Sequence, residues 1–420
     1  MPVQPMSGVR IIELTTFGFV PSGVAILADW GAEVTKVEHP RVPDPMRGLV
    51  TARAPDGRVV DTLMDQFNRG KRNLALDVGA DRGREVFYEL VRRCDVVVTS
   101  FLPGTQRRLR VTYEDLQSLN PSLVFAHGHG YGPRGPDADQ PGFDGISYWS
   151  RGGVGHALTY TDGPPVQQRA AFGDVMGGLA VAAGVAAAMH RQRATGSGCA
   201  VDVSLLAVAC WQLAPDLLAT SVTGLDVQAS APGPDSGPFR TRDGRFVNLP
   251  LLLPQYLTNA LRALGEERLL ADPLFATYEG GVGAPGSEIV NAALRTAIAS
   301  FTAEEIRERF SGQEIAWSIV QSPPEVLADP QVRANEYLVP HPSGPGGFLV
   351  AGPVQFDQAP PRPPAGAPRQ GEHTVAILRE LGLDEAAVHE LLDAGVAAQG
   401  TEGSWDAYGR LTGARPGGRP

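Results

Sequence analysis

The sequence predicts an α/β fold, with a Rossmann-like large domain and a smaller α+β domain. Strand-like and helix-like segments alternate over the first 130 residues, which is typical of a parallel sheet covered by helices. The chain has 420 residues, more than one compact core usually holds. Pro/Gly-rich breaks at 230–238 and 359–368 are places where the chain can leave one domain and return to it.

The elements of the large domain follow in order from their apolar patterns. Five β-branched, apolar runs predict strands: VRIIELTT at 9–16, AEVTKVEHP at 32–40, NLALDV at 73–78, CDVVVTS at 94–100 and LVFAHGHG at 123–130. Helical spacing predicts helices over 23–31 and 81–93. A closely packed, Ala-rich helix is expected after Asp174, and its glycines argue against a membrane span.

The Pro/Gly-rich breaks and the apolar patterns also predict domain boundaries. We expect the large domain at 1–229 with a return at 333–398, a linker at 230–238, the small domain at 239–332 and a tail at 399–420. The small domain begins with a pattern that predicts a hairpin turning at Asp243-Gly244. The return includes a charged pattern that predicts one helix over 373–392.

Composition and charge exclude several classes of protein. The net charge of −10 gives nucleic acid no general attraction. The N-terminus lacks a basic region followed by an apolar core, so we expect a cytoplasmic protein that does not bind a membrane. Three cysteines without ligand spacing argue against both a disulfide framework and a zinc site, and no metal is expected.

Asp174 is the most informative single residue, because it is the one acidic side chain in the apolar run 170–190. Asp is a good N-cap residue, yet Gly177 stands where a capping box would place Glu or Gln. A helix N-terminus also favours an anionic group with a function in an apolar pocket. The local sequence is compatible with both interpretations.

Three basic clusters contrast with the acidic total. They lie at 36–41, 69–72 and 107–110, next to predicted strand ends, where open α/β sheets bind ligands. Together they favour a small, phosphate-rich ligand. The loop after the first strand has neither GxGxxG nor GxxxxGK[ST], which weakens a nicotinamide or ATP-loop interpretation. His127 and His129 face one way on a strand, but no further ligand follows at metal spacing.

Seven segments, in order between residues 28 and 383, resemble the class III CoA-transferase family. They are ADWGAEVTKVEHP, NRGKRNLALD, DVVVTSFLPGTQRRL, GDVMGG, TGSGCAVDVSLL, LADPQVRANEYLV and RQGEHTVAILRELGL. This family includes formyl-CoA transferase, carnitine CoA-transferases and the α-methylacyl-CoA racemases. The resemblance implies an interlocked homodimer, a carboxylic acid acceptor, and coenzyme A or acyl-CoA bound as substrate with no permanently bound cofactor.

The resemblance also implies roles for single residues. Asp174 matches the catalytic aspartate, which attacks the acyl-CoA thioester to give an aspartyl anhydride and then an aspartyl-CoA thioester from which the acceptor takes CoA. Asp144 matches an acidic position beside it. The positions that line the CoA site are Phe17, His39, Leu76, Ser100, Phe101, Arg108 and Leu109. An aspartate ionised at neutral pH would need no general base, and the N–H groups of Gly177 and Gly178 are candidate oxyanion donors.

Departures from the family pattern bear on the reaction. Gly18 stands where formyl-CoA transferase has a glutamine, so we expect a larger or more apolar acid than oxalate. Phe143 stands where the racemases have a histidine, which disfavours the alternative of an acyl-CoA racemase or epimerase, since proton transfer needs two acid–base groups. A non-catalytic CoA-binding protein is a further alternative, and the intact Asp174 segment argues against it.

Overall fold

A computed structural model of the protein describes residues 4–160, 163–226, 238–278, 286–342, 347–357 and 365–400. The chain forms two compact units. The large unit comprises Met1–Leu158, Pro165–Val227 and Arg333–Pro420, and the small unit comprises Thr159–Pro164 and Gln228–Val332. The tail expected at 399–420 lies almost entirely outside the described residues, as does the linker expected at 230–238.

The N-terminal part of the large unit alternates strands with helices. In chain order its elements are β1 (Arg10–Leu14), α1 (Phe19–Asp29), β2 (Glu33–Glu38), β3 (Thr51–Arg53), β4 (Val59–Asp61), α2 (Thr62–Asn68), β5 (Arg72–Leu76), α3 (Asp81–Arg93), β6 (Val96–Thr99), α4 (Pro103–Leu109), α5 (Tyr113–Gln117), β7 (Val124–His129), a π-helix (Asp144–Ser150), α6 (Val154–Ala157), α7 (Phe172–Thr195), β8 (Cys199–Ser204), α8 (Leu205–Gln212) and α9 (Ala214–Thr223). Each predicted strand and helix of this part is present, with ends that differ by a few residues.

The remaining elements follow in chain order. They are β9 (Phe239–Arg240), β10 (Phe246–Asn248), α10 (Pro254–Leu264), a 3-10 helix (Glu267–Ala271), α11 (Pro273–Ala276), α12 (Ser287–Ile298), α13 (Ala303–Phe310), β11 (Ser318–Ile319), α14 (Pro323–Ala328), α15 (Pro330–Ala334), β12 (Leu338–Pro340), β13 (Phe348–Val350), α16 (Thr374–Glu380), α17 (Glu385–Asp393) and β14 (Ala397–Ala398). The predicted hairpin is confirmed, because β9 and β10 pair antiparallel around Gly244, whose φ is 81°. The single helix predicted over 373–392 is wrong, because Gly382, with φ 95°, ends one helix before the next begins.

A seven-stranded sheet organises the large unit. Its order is β14-β5-β2-β1-β6-β7-β8; β14 pairs antiparallel with β5, and the other neighbours are parallel. The six parallel strands therefore have the order of a doubly wound α/β sheet. Strands buried on both faces form continuous apolar runs rather than alternating ones, as Val96, Val97 and Val98 illustrate, each at 0% exposure.

Helix α7 packs against α1 at close range through glycine. A Cβ on Gly23 would lie 2.5 Å from the carbonyl oxygen of Gly178, and a Cβ on Gly178 would lie 2.8 Å from the nitrogen of Gly23. Side chains at these positions would force the two helices apart, which explains the small residues of α7 by packing.

Within the residues that the structure describes, two apolar stretches of the large unit meet the length and composition of a membrane span. One is α7, of which part is buried inside the protein, and the other is α8 with α9, which are bent by 69° between them. The buried side of α7 joins α1 and β7 in one apolar core, in which Val181 and Val185 are almost fully buried. Packing within the protein therefore accounts for the apolar side of α7 that faces the sheet.

Candidate active site

A cavity lies at the carboxyl ends of β1 and β6, where the order of the parallel strands reverses. Its volume is about 300 Å³. Thr16 and Phe17, which follow β1, line one part of it, and Ser100 and Phe101, which follow β6, line another. Open α/β sheets bind ligands in this crevice. The topology of the sheet therefore marks this cavity as the ligand site, independently of any sequence motif.

Asp174 borders the same cavity from the first turn of α7. The N-cap of α7 is Ala171, which has φ 61° and makes no side-chain capping bond, so Asp174 is the third residue of the helix. The capping interpretation of Asp174 is therefore wrong. Its carboxylate lies directly against Gly18, because a Cβ built on Gly18 would be 2.4 Å from Asp174 Oδ2. The small residue at position 18 leaves space for the carboxylate.

The ionisation of Asp174 differs from the expectation for an exposed aspartate. Burial, and to a smaller extent the negative charge of Asp144, raises the pKa of Asp174 to about 8. The expectation that Asp174 is ionised at neutral pH is therefore wrong for the protein without substrate. Before it can attack an electrophile, Asp174 must lose this proton.

Asp144, at the start of the π-helix, supports the first turn of α7. Burial raises the pKa of Asp144, while hydrogen bonds from the backbone N–H groups of Gly145, Gly173 and Asp174 lower it. Gln168 Nε2 donates to Asp144 Oδ2 at 2.8 Å. The carboxylate that satisfies the free N–H groups of α7 thus comes from Asp144, which sequence reasoning assigned to catalysis.

Two aromatic rings lie over the cavity. Phe17 and Phe143 both line it, and their ring centroids are 4.9 Å apart in an edge-to-face arrangement. An edge-to-face pair of this kind contributes stabilisation beyond that from the burial of its apolar surface. The loop after β1 is also hydrogen-bonded to the residue that follows β6, because Ser100 Oγ accepts a hydrogen bond from the N–H of Thr16 at 3.1 Å.

The other residues predicted for the CoA site lie away from this cavity. The side chain of Leu76 is buried in the core, at 1% exposure. It is therefore not available for the expected contact with CoA. His39 Nε2 is 3.4 Å from Asp77 Oδ2. Arg108 and Leu109 belong to α4, with Arg108 exposed. A Cβ on Gly79, two residues after Asp77, would be 3.6 Å from Leu109 Cδ2. Helix α4 therefore lies beside the loop after β5, which contains the Asp77 that pairs with His39.

Three cations of the first two basic clusters are not free to bind a phosphate. Lys36 and Lys71 are buried and paired with Glu13. Arg69 is 3% exposed and pairs with Asp29. These charges are engaged in ion pairs within the protein, and the prediction that the clusters at 36–41 and 69–72 attract a phosphate-rich ligand is wrong for these side chains. The cluster at 107–110 stays exposed on and after α4.

The proposed oxyanion role of Gly177 and Gly178 is also wrong. Both residues lie inside α7, where the N–H groups are used by the helix. A Cβ on Gly177 would be 2.4 Å from the ring of Phe19. The two glycines therefore serve close packing, as described for the contact between α7 and α1.

His127 and His129 line the same cavity as Asp174 and belong to a cluster of which sequence spacing missed one member. The rings of His127 and His129 of β7 are tilted by 44° with centroids 3.7 Å apart. Asp202 of the adjacent β8 joins them, with all candidate ligand atoms within 4.8 Å of one another. His129 Nε2 is 2.7 Å from Asp202 Oδ1, and His127 Nε2 is 2.9 Å from the carbonyl oxygen of Phe101. Burial and the neighbouring His129 lower the pKa of His127 to about 4. Hydrogen bonds within the protein account for this cluster.

Fold and site together define a two-unit α/β protein that holds a carboxylate beside aromatic side chains in a cavity at the switch point of its sheet. A family model described as CoA-transferase family III matches residues 6–374. The chain therefore belongs to CoA-transferase family III, and it is a CoA-transferase. The resemblance seen in the sequence is confirmed.

Named relatives match over almost the whole chain. The (R)-2-hydroxy-4-methylpentanoate CoA-transferase of Clostridioides difficile is 30% identical over 93% of this chain and 99% of that protein. The cinnamoyl-CoA:phenyllactate CoA-transferase of Clostridium sporogenes is 30% identical over 92% of this chain and 95% of that protein. Among solved structures, Rv3272 of M. tuberculosis has a TM-score of 0.78 and 25% identity, covering 90% of this chain and 100% of that one.

Proposed function

We propose that the protein moves CoA from an acyl-CoA to a carboxylic acid with an apolar side chain, and that Asp174 carries the acyl group and then the CoA. One observation carries this proposal: the Asp174 carboxylate borders the switch-point cavity, next to Gly18 and among aromatic side chains. A covalent anhydride must be protected from water, and the aromatic side chains that line the cavity beside Asp174 support that requirement.

The proposed reaction has four steps. The ionised Asp174 oxygen attacks the thioester carbon, the C–S bond breaks, and CoA leaves as a thiolate. The thiolate attacks the Asp174 carbonyl carbon, which releases the donor acid and leaves an aspartyl-CoA thioester. The acceptor carboxylate attacks that thioester carbonyl, and CoA leaves again as a thiolate. The thiolate attacks the acceptor's acyl carbon, which forms the new acyl-CoA and returns Asp174 as a carboxylate.

Both the cavity and the relatives support an apolar acid as acceptor. Aromatic side chains at Phe17, Phe19 and Phe143 line the space beside Asp174. The two relatives described above are named for acids with a branched aliphatic and an aromatic side chain, respectively. In this proposal, Arg108 and His39 lie near the nucleotide end of CoA. Turnover should therefore be faster with 2-hydroxy-4-methylpentanoate or phenyllactate than with oxalate.

In this proposal the active protein is a cytoplasmic homodimer whose chains interlock. Every residue of α9 is at least partly exposed, and Leu218 and Val222 are exposed by 65% and 77%. Trp211 at the end of α8 is exposed by 84%. A second copy that covers this apolar face would remove it from water. Sedimentation at micromolar concentration should give a dimer, whereas a monomer that associates with phospholipid vesicles would contradict the proposal.

The test of the covalent role uses Asp174→Asn, with Asp144→Asn as control. Wild-type protein incubated with a proven acyl-CoA donor and hydroxylamine should carry a hydroxamate on the peptide that contains Asp174, detected by mass spectrometry. Asp174→Asn should show neither this modification nor transfer. Asp144→Asn should keep both, because Asp144 acts on α7 and not on the thioester. Near-normal transfer by Asp174→Asn would refute the proposal.

A further inference from the structure

The chain contains only two lysines, and both are buried in the large unit next to β1. Lys36 on β2 is 0% exposed, and Lys71 just before β5 is 3% exposed. Glu13 on β1 pairs with both, at 3.6 Å from Lys36 Nζ and 2.7 Å from Lys71 Nζ. Burying charged groups costs several kcal/mol per ion unless they are well paired. The fold therefore holds these charges in a defined arrangement.

Lys36 connects this cluster to Asp44. Lys36 Nζ is 2.9 Å from Asp44 Oδ2, and it donates to the carbonyl oxygen of Thr15 at 3.2 Å. The other oxygen of the same carboxylate, Asp44 Oδ1, accepts the backbone N–H of Phe17 at 3.0 Å and that of Met46 at 3.0 Å. One side chain thus neutralises Lys36 and fixes the backbone at Phe17.

Phe17 needs such a restraint because its backbone is left-handed. Its φ is 63°, which is unfavourable for a bulky residue and costs on the order of 1–3 kcal/mol. Gly18 follows it directly, and a Cβ on Gly18 would lie 2.4 Å from Asp174 Oδ2. The conformation of Phe17 therefore determines where the backbone of Gly18 lies against the carboxylate of Asp174.

We propose that Asp44 is a positioning residue for Asp174: its buried carboxylate, which pairs with Lys36, accepts the N–H of Phe17 and holds this residue in its left-handed conformation, so that Gly18 packs against the nucleophile. This inference rests on the proposed function of Asp174. Loss of the hydrogen bond to Phe17 releases the loop, which moves Gly18 and the ring of Phe17 away from the reacting carboxylate. A misplacement of about 1 Å at a reacting group can cost roughly 100-fold in rate.

Two double variants separate this hydrogen bond from the charges. Both carry Lys36→Met, and they differ only at Asp44, which becomes Asn in one and Leu in the other. Asn keeps an oxygen for the N–H of Phe17, whereas Leu has a similar size and no acceptor. We expect Lys36→Met/Asp44→Leu to lose roughly 10- to 100-fold in kcat relative to Lys36→Met/Asp44→Asn, with KM for the acyl-CoA almost unchanged.

Lys71→Met is the matched control, because Lys71 is equally buried and paired with Glu13. It should lower the melting temperature without lowering kcat as Lys36→Met/Asp44→Leu does. A second measurement needs no variant: the amide of Phe17 should exchange with deuterium as slowly as the core amides of β1. Equal kcat in the two double variants, or rapid exchange at Phe17 in the wild type, would overturn the inference.

The same experiment distinguishes failure of this inference from failure of the proposed function. Asp174→Asn is measured beside the double variants with the same substrates. If Asp174→Asn is inactive and the two double variants have equal kcat, only the positioning role is refuted. If Asp174→Asn is active, the covalent role of Asp174 is refuted, and the positioning role with it.

Discussion

The raised pKa of Asp174 predicts a strong pH dependence of the first chemical step. With a pKa of about 8, only about a tenth of the free enzyme carries the ionised carboxylate at pH 7, and about a hundredth at pH 6. Because kcat/KM reports the ionisation of the free enzyme, kcat/KM for the acyl-CoA donor should rise about tenfold per pH unit between pH 6 and pH 7 and level off above about pH 9.

The cause of the shift can be tested with Asp144→Asn. Burial is the larger cause of the raised pKa of Asp174, and the charge of Asp144 is the smaller one. Removing that charge should move the midpoint of the kcat/KM profile to lower pH without restoring the pKa of an exposed aspartate. Asp202→Asn, which alters a carboxylate paired with His129, should leave the midpoint unchanged.

The same ionisation of Asp174 should lower the stability of the folded protein as pH rises, whereas it raises kcat/KM. The folded protein binds the Asp174 proton more tightly than the unfolded chain, so this group's contribution to stability is complete below about pH 4 and is lost as pH rises towards about 8. Asp174→Asn removes that loss, and its melting temperature should exceed that of the wild type increasingly between these pH values. A flat kcat/KM profile from pH 6 to 9, together with an unchanged melting difference, would refute the raised pKa.

Three further predictions concern other parts of the large unit. Because both lysines are buried, an amine-reactive reagent should label neither in the native protein and both after denaturation, as counted by intact mass. Gly18→Ala places a Cβ 2.4 Å from Asp174 Oδ2, so kcat should fall roughly tenfold or more, whereas Gly104→Ala, whose Cβ would meet no atom closer than 3.9 Å, should leave kcat unchanged. Arg108→Ala should weaken CoA binding by about 1–3 kcal/mol in calorimetry, and an unchanged affinity would remove Arg108 from the site.

The sheet could be predicted because its signal is local. The strands of the parallel sheet have four to six residues and are rich in β-branched and apolar residues, a pattern that can be recognised without knowledge of the neighbouring strands. β14 has only two residues, Ala397 and Ala398, and it is a strand only because β5 pairs with it. No pattern in the sequence marks it.

The errors at the candidate site have a common physical cause. Charge runs usually mark a solvated surface, but Lys36 and Lys71 pair with Glu13, which lies far from Lys71 in sequence and in contact with it in the fold. The N-cap of α7 was missed for a related reason. Ala171 begins the helix in a left-handed conformation, and the residue that binds its N–H groups, Asp144, comes from another element. Such pairings depend on tertiary structure.

The raised pKa of Asp174 does not by itself select transfer over proton abstraction at carbon, since a group with a pKa near 8 suits either. The selection rests on the partner group. Phe143, which stands where racemases have a histidine, is half exposed and packs on Phe17, and its ring cannot accept a proton. We therefore expect a 2-methylacyl-CoA incubated with the enzyme in heavy water to acquire no deuterium at its α-carbon while transfer proceeds. Deuterium incorporation as fast as transfer, measured by mass spectrometry, would show that another base serves Asp174 and that the protein also catalyses epimerisation.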